Sequence, residues 1–267
     1  MKTLRNWTKD FFKADVFHPG DVVHLAAAVH ETKFAAKALG LKKGQSVLDL
    51  CCGTGRHSLE FAKRGYKVFG VDVTREYLVE ASRKAKGMKN VRYAVGDMRK
   101  LPFKGEFDAV VNMWTSFGYF LKESDDIRTL KGIARALKPG GKFLIDIVDA
   151  DWILKHGLRR NWSRMPDGGY LLEDVVFRSR TDPAHTNTWT VLKPGKKPAS
   201  ATFFVRSYNY KRMTASLKKA GLWPVKHWGG VDGTPYKKGE TKRLVVLAQK
   251  PTTVSPPTPS PQHSTSR

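Results

Sequence analysis

Residues 47–58 read VLDLCCGTGRHS: an apolar run that carries one carboxylate, Asp49, into a glycine turn, Gly53-Thr54-Gly55, with a helical pattern behind it. A strand that ends in such a turn and feeds a helix is the opening unit of an open α/β sheet. Outward from it the signals alternate. QSVLDLCC reads as a strand, RHSLEFAKRG as a helix ending at Gly65, YKVFGVDV as a second strand, and REYLVEASRKAK as a helix with Thr74 at its N-cap. NVRYAVGD is a third strand and EFDAVVNMW a fourth; DDIRTLKGIARAL is a helix capped by Ser124 or Asp125, and GKFLIDIVD is a fifth strand after the turn KPGG. Regular alternation of this kind requires right-handed crossovers, hence a Rossmann-like, mostly parallel sheet with helices on both faces.

The flanks complete the organisation. Apolar residues recur at three and four in VVHLAAAVHETKFAAKALG, which predicts N-terminal cap helices within residues 1–43 ahead of a core at 44–150. From Asp151 the rhythm changes: YLLEDVVFRSR, HTNTWTVL and ATFFVRSYNY follow one another without an intervening helix, so residues 151–206 are expected to form a small antiparallel β insertion. YKRMTASLKKAG, LWPVKHW and RLVVLAQK then return a helix and two strands, so that 207–250 complete a seven-stranded core sheet. Residues 251–267, PTTVSPPTPSPQHSTSR, offer almost nothing to bury and read as a disordered tail.

Composition narrows the class. The 267 residues are 40% hydrophobic, enough for a buried core, and contain no run of about 18 apolar residues that could span a membrane. The first residues, MKTLRNWTKDFFKADVFHPGD, lack an apolar stretch followed by a cleavage site, so the expected location is the cytoplasm. The only cysteines, Cys51 and Cys52, are neighbours at a strand end, where a bridge would be strained; they read as core residues. The eight histidines show no metal-ligand spacing with cysteine or carboxylate, so no metal is expected. The formal net charge of +24 raises a nucleic-acid partner, but the basic residues are spread over most of the chain, and a generally basic solvated exterior is the other reading.

A lone Gly-x-Gly marks any tight strand-to-helix turn, and its position gives it meaning. In open parallel sheets ligands bind beyond the carboxyl ends of the strands where strand order reverses, which is where the first strand and its turn lie. Asp72 ends the second strand about 20 residues on, where an acidic side chain takes the hydroxyls of a ribose. Asp97 and Met98 end the third strand, placed for an adenine amino group and ring. A dinucleotide fits less well: its third glycine position is Ser58, and Asp49 would face a pyrophosphate that wants N–H groups and no anions. S-adenosylmethionine has adenine and ribose, no phosphate, and a cationic methionine end that a carboxylate favours.

The blocks VLDLCCGTGRHSLEFAKRGYKVFGVDVTREYLVEA, GDMRKLPFKGEFDAVVNMWTSFGYF and ALKPGGKFLIDIVD resemble the class I S-adenosylmethionine-dependent methyltransferases. WTSFGYF and the later VRSYNYKRMTASLKKAGLWPVKHWGGVDGTPY are similar to a bacterial subgroup that includes amino-sugar N-methyltransferases. The resemblance implies that Asp49, Gly53, Gly55 and Arg56 contact the methionine part, Asp72 the ribose, Asp97 and Met98 the adenine, and Asn112 the edge of the cofactor pocket. It also implies an acceptor pocket near Trp114, Tyr119, Arg206, Tyr208 and Tyr236. Tyr119 and Asp149 are candidate bases, while His57 and Asp146 stand between core and site. No Asn-Pro-Pro-aromatic block follows the fourth strand, and neither cysteine follows the fourth or fifth, which disfavours exocyclic base amines and cytosine C5 as targets. The expected activity is methyl transfer to nitrogen or oxygen of a small molecule; the alternative is a basic RNA-associated protein of the same fold, acting on RNA or binding without catalysis.

Overall fold

The computed structural model describes residues 11, 12, 16, 26–165, 167–179 and 184–252. The helical reading of residues 1–25 falls almost wholly outside these, as does the tail from 253 onward. Helix α1, Ala27–Leu39, ends at Gly40, whose left-handed backbone (φ 67°) turns its N–H onto the carbonyl of Lys37. Then come β1 (Ser46–Leu50), α2 (Arg56–Lys63), β2 (Lys67–Asp72), α3 (Arg75–Lys84), β3 (Val91–Val95), β4 (Phe107–Asn112), α4 (Glu123–Ala136), β5 (Leu137–Val148) and α5 (Ala150–His156). Four strands follow, β6 (Arg160–Arg164), β7 (Tyr170–Phe177), β8 (His185–Leu192) and β9 (Ala199–Val205). Helix α6 (Tyr210–Lys219), β10 (Trp223–Trp228) and β11 (Arg243–Gln249) close the chain. Among the described residues no helix is long and apolar enough to cross a membrane.

The main sheet has the order β3-β2-β1-β4-β5-β11-β10, and β11 alone runs antiparallel to its neighbours. Both faces are covered, which explains why its strands read as continuous apolar runs. Successive side chains of β1 go to opposite faces. Leu48 joins Val110, Leu130, Phe143, Ile145, Met213 and Leu217 under α4 and α6, while Val47 joins Ala35, Leu39, Phe61, Val111 and Val245 under α1 and α2. Each buried valine, leucine, isoleucine, methionine or phenylalanine among them stabilises the fold by about 1.5–3 kcal/mol relative to exposure. Chain order reverses between β1 and β4, so the glycine turn after β1 opens at the crevice.

The second sheet, β6-β7-β8-β9, is wholly antiparallel. Its alternation gives two unlike faces. Leu171 and Val191 are buried on one, whereas Trp162, Leu172 and Val176 are exposed on the other.

Several elements depart from expectation. Strand β6, RNWSR, was not anticipated, because its arginines leave no apolar alternation to read. Helix α4 starts at Glu123 after Lys122, and neither Ser124 nor Asp125 caps it; Thr74 is the N-cap of α3 but makes no side-chain cap. The KPGG segment belongs to β5 and is no separate turn. The Gly140 N–H donates to the carbonyl of Lys250 and the Lys250 N–H to that of Gly141, so the segment stays paired while the β4–β5 register shifts.

Candidate active site

Beyond Leu50 the chain turns sharply: Cys51 (φ 62°), Gly53 (φ 54°) and Gly55 (φ 77°) are all left-handed. The N–H groups of Cys51 and Cys52 both donate to the carbonyl of Val71. A Cβ on Gly55 would lie 2.6 Å from the Tyr93 hydroxyl and 2.9 Å from the Ala81 Cβ, so only glycine fits. The turn is held by Asp72, whose Oδ2 accepts from the Gly53 N–H (2.8 Å) and whose Oδ1 accepts from the Thr74 N–H (2.9 Å). The Thr74 hydroxyl bonds to the same carboxylate, which with about four acceptor sites keeps room for a ligand hydroxyl. Asp49 is 2% exposed and accepts from the Ser58 hydroxyl (2.6 Å). Ser58 thus occupies the third glycine position because Asp49 needs its donor. Burial pushes the Asp49 carboxyl above its ordinary range, against the lowering pull of His57 and Ser58.

Glu31, from α1, was not singled out in the sequence. It pairs with the guanidinium of Arg56, and His57 Nε2 lies 2.6 Å from its Oε2. Burial would raise this carboxyl, but His57 and Arg56 outweigh it and hold it at about 2. Arg56 is nine-tenths buried, and its Nη2 has no partner. At the end of β3, Asp97 caps the 3-10 turn Met98–Lys100 and takes the Arg99 guanidinium through Nε (3.0 Å) and Nη2 (2.6 Å). Arg99 in turn lies over the Phe120 ring. The sulfurs of Met98 and Cys51 are 3.6 Å apart.

These groups line one end of a cavity of about 550 Å³. Its wall runs from Asp49, Gly53, Arg56, His57, Asp72, Asp97, Met98 and Arg99 past Trp114, Thr115 and Tyr119 to the inner face of the second sheet. Trp114 and Thr115 are both left-handed (φ 62° and 60°), and Asp146 fixes them: its Oδ2 accepts from the Trp114 N–H and its carbonyl from the Thr115 N–H. Asp146 is itself paired with Arg243 at 2.5 Å and lies behind the wall. The far end is aromatic, with Phe11, Phe12, Tyr119, Trp189 and Phe203. Burial raises the Tyr119 phenol, which keeps it neutral at ordinary pH.

The remaining expected residues lie outside the wall. Asn112 donates to the carbonyls of Leu50 (3.1 Å) and Ser116 (3.4 Å) and so ties β1 to the loop after β4. Gly55 stands behind the loop as the N-cap of α2. Asp149, expected as a base, caps α5 through the Trp152 N–H and accepts from the Tyr236 hydroxyl (2.9 Å), so both members of that pair are committed to each other. Arg206 and Tyr208, expected at the acceptor pocket, both bind the buried Asp126, at 3.2 and 2.8 Å. Arg206 also donates to the Leu121 carbonyl, which makes it an anchor for the loop rather than part of the surface it presents.

The donor set suits S-adenosylmethionine. Asp72 keeps acceptor capacity for a hydroxyl, Asp49 suits a cation, and the unpartnered Arg56 nitrogen suits a carboxylate. Residues 47–141 match the methyltransferase domain family. The cypemycin N-terminal methyltransferase of a Streptomyces species is 39% identical over 220 residues, 78% of this chain and 84% of that one. The chain spans less than half the length of several other curated relatives that it matches. Among solved structures, an S-adenosylmethionine-dependent methyltransferase from Clostridium acetobutylicum superposes with a TM-score of 0.73 at 22% identity, over 86% of this chain and 93% of the other. An amino pentose methyltransferase from Micromonospora echinaspora, solved with S-adenosylmethionine bound, gives 0.61 at 20% identity, over 86% and 92%.

Proposed function

The chain belongs to the class I S-adenosylmethionine-dependent methyltransferases, and from that premise we propose that it methylates a nitrogen or oxygen of a small molecule held beneath the second sheet. In this reading Asp72 takes the ribose hydroxyls, Met98 packs on the adenine, and Asp97 fixes Arg99 beside it. Gly53 lets the backbone approach, Asp49 faces the amino end and Arg56 the carboxylate. When bound, the cofactor supplies a methyl group on a sulfonium, an electrophile that needs only an aligned lone pair and a dry surrounding.

The observation that carries the reading is the continuity of the cavity: the carboxylates of the glycine loop and the aromatic face of the second sheet line one space. A ligand in each half would meet the other. The Streptomyces relative, by its name an N-terminal methyltransferase, supports nitrogen as one acceptor. Calorimetric titration with S-adenosylhomocysteine, with NAD as control, tests the first half; we expect micromolar binding of the former alone. A labelled methyl donor offered with a panel of small amines and alcohols tests the second. Failure of S-adenosylhomocysteine to bind, or label appearing in none of the panel, would count against it.

A further inference from the structure

Among the described residues four carboxylates line the cavity: Asp49, Asp72 and Asp97 around the glycine loop, and Glu173 on the second sheet. Glu173 differs from the others in its company. Its hydrogen-bond partners are two neutral amides, Asn161 Nδ2 at 3.3 Å from Oε2 and Asn187 Nδ2 at 3.2 Å from Oε1. Among the described residues no cation pairs with it. The three arginines of the wall are already matched, Arg56 to Glu31, Arg99 to Asp97 and Arg243 to Asp146. Lys242 is exposed and lies over the Trp152 ring.

Strand alternation puts Glu173 on the same sheet face as Leu171, with Asn187 and Trp189 from β8 and Phe203 from β9. Asn187 is 8% exposed, and its Oδ1 has no partner. A buried amide oxygen without a donor is costly, and beside the partly buried Glu173 carboxylate it suits a ligand that brings both positive charge and donors. A primary ammonium brings both. A hydroxyl brings one donor and no charge.

We propose that the acceptor is an amine with an apolar body, its ammonium held by Glu173 and Asn187 Oδ1 and its body against Trp189 and Phe203. The proposal rests on the methyl-transfer reading and names its substrate class. One N–H proton passes from the ammonium to a Glu173 carboxylate oxygen; the charged pair becomes a neutral amine and a carboxylic acid, and the nitrogen lone pair that methylation needs is freed.

The test is calorimetric, on the full chain, with 2-phenylethylamine and 2-phenylethanol as probes of equal body and unlike head, each with and without S-adenosylhomocysteine. The amine is expected to bind at least ten-fold more tightly than the alcohol. Glu173→Gln, nearly isosteric, should erase that preference and leave alcohol affinity within two-fold. Asn187→Ser, which removes the amide oxygen and leaves Glu173, should weaken the amine by three-fold or more and reports independently if the first variant loses its circular-dichroism spectrum. Equal affinity for the two probes, no binding of the amine, or a preference that survives both substitutions would overturn the amine site. If the preference behaves as stated but S-adenosylhomocysteine does not bind, the amine site stands and the methyl-transfer reading falls.

Discussion

At the scale of single residues, the site rests on buried carboxylates that differ in what opposes their burial. Asp72 accepts from the Gly53 and Thr74 N–H groups, one on each oxygen, and from the Thr74 side chain, and it lines the cavity. Asp72→Ala should weaken S-adenosylhomocysteine binding by about 1–3 kcal/mol, the worth of hydrogen bonds to a charged partner, read by calorimetry on a variant that keeps its fold. Asp97 is already engaged by Arg99, so Asp97→Asn should cost the ligand less than the change at Asp72. Glu31 makes a pH-dependent contribution. Its carboxyl is held at about 2, below the ordinary 4.5, so the stability it confers is fully present above about pH 4.5 and is lost as pH falls toward 2. In urea unfolding, Glu31→Gln should lose on the order of 3 kcal/mol at pH 7, and its deficit against the parent should shrink through that acid window. Asp49, Asp72 and Met98 were legible in the sequence because strand ends are local features and the crevice lies at those ends. Glu31 was not, because nothing in HETKFAAKAL says which face of its helix meets Arg56.

At the scale of elements, the loop after β4 is the part most firmly prescribed by its neighbours. Gly118 has φ 91°, and a Cβ there would lie 2.2 Å from the Arg206 carbonyl oxygen; the Arg206 N–H in turn donates to the Gly118 carbonyl. Gly118→Ala combines backbone strain with a clash against backbone, and should destabilise the fold by about 3 kcal/mol or more in urea unfolding. Arg206→Lys should loosen the same loop, because one ammonium cannot meet Asp126 and the Leu121 carbonyl in the way a guanidinium fork does. The anchoring role of Arg206 and Tyr208 was hidden from the sequence, where both looked like lid residues: their partner Asp126 lies about 80 positions away, and no local pattern reports a contact at that separation. Three of the second sheet's four strands, β7, β8 and β9, could be read from alternation, but period two distinguishes two faces without saying which one turns inward. That is why Glu173, Trp189 and Phe203 went unnamed while their strands were expected. Trp189→Ala should therefore raise the acceptor KM by roughly ten-fold or more, the loss of one buried aromatic side chain, and leave S-adenosylhomocysteine affinity within two-fold.

At the scale of the whole molecule, strand order and charge point to different kinds of partner, and salt dependence separates them. The alternation of strand and helix signals was enough to give the sheet, because a doubly covered parallel sheet needs continuous apolar strands and the sequence has them in order. The net charge of +24 is a property of the exterior that no element of the fold requires. Its basic residues are dispersed, the described arginines of the cavity wall are each paired with a carboxylate, and Glu173, which has no cationic partner, makes the second-sheet end of the cavity unsuited to a phosphate. We expect mixed RNA to bind through the exterior alone: affinity should fall steeply with salt and vanish near about 0.2 M, the behaviour of counterion release without base contacts. S-adenosylhomocysteine affinity should be unchanged over the same range, since the residues proposed to hold its polar groups, Asp49, Asp72 and Arg56, are buried and little screened. Retention of RNA at 0.2 M salt, together with methyl label in the RNA, would instead make the basic exterior part of the acceptor site. Glu173 would then face a nucleobase rather than an ammonium, and Glu173→Gln would leave that labelling intact only if the RNA enters by another route.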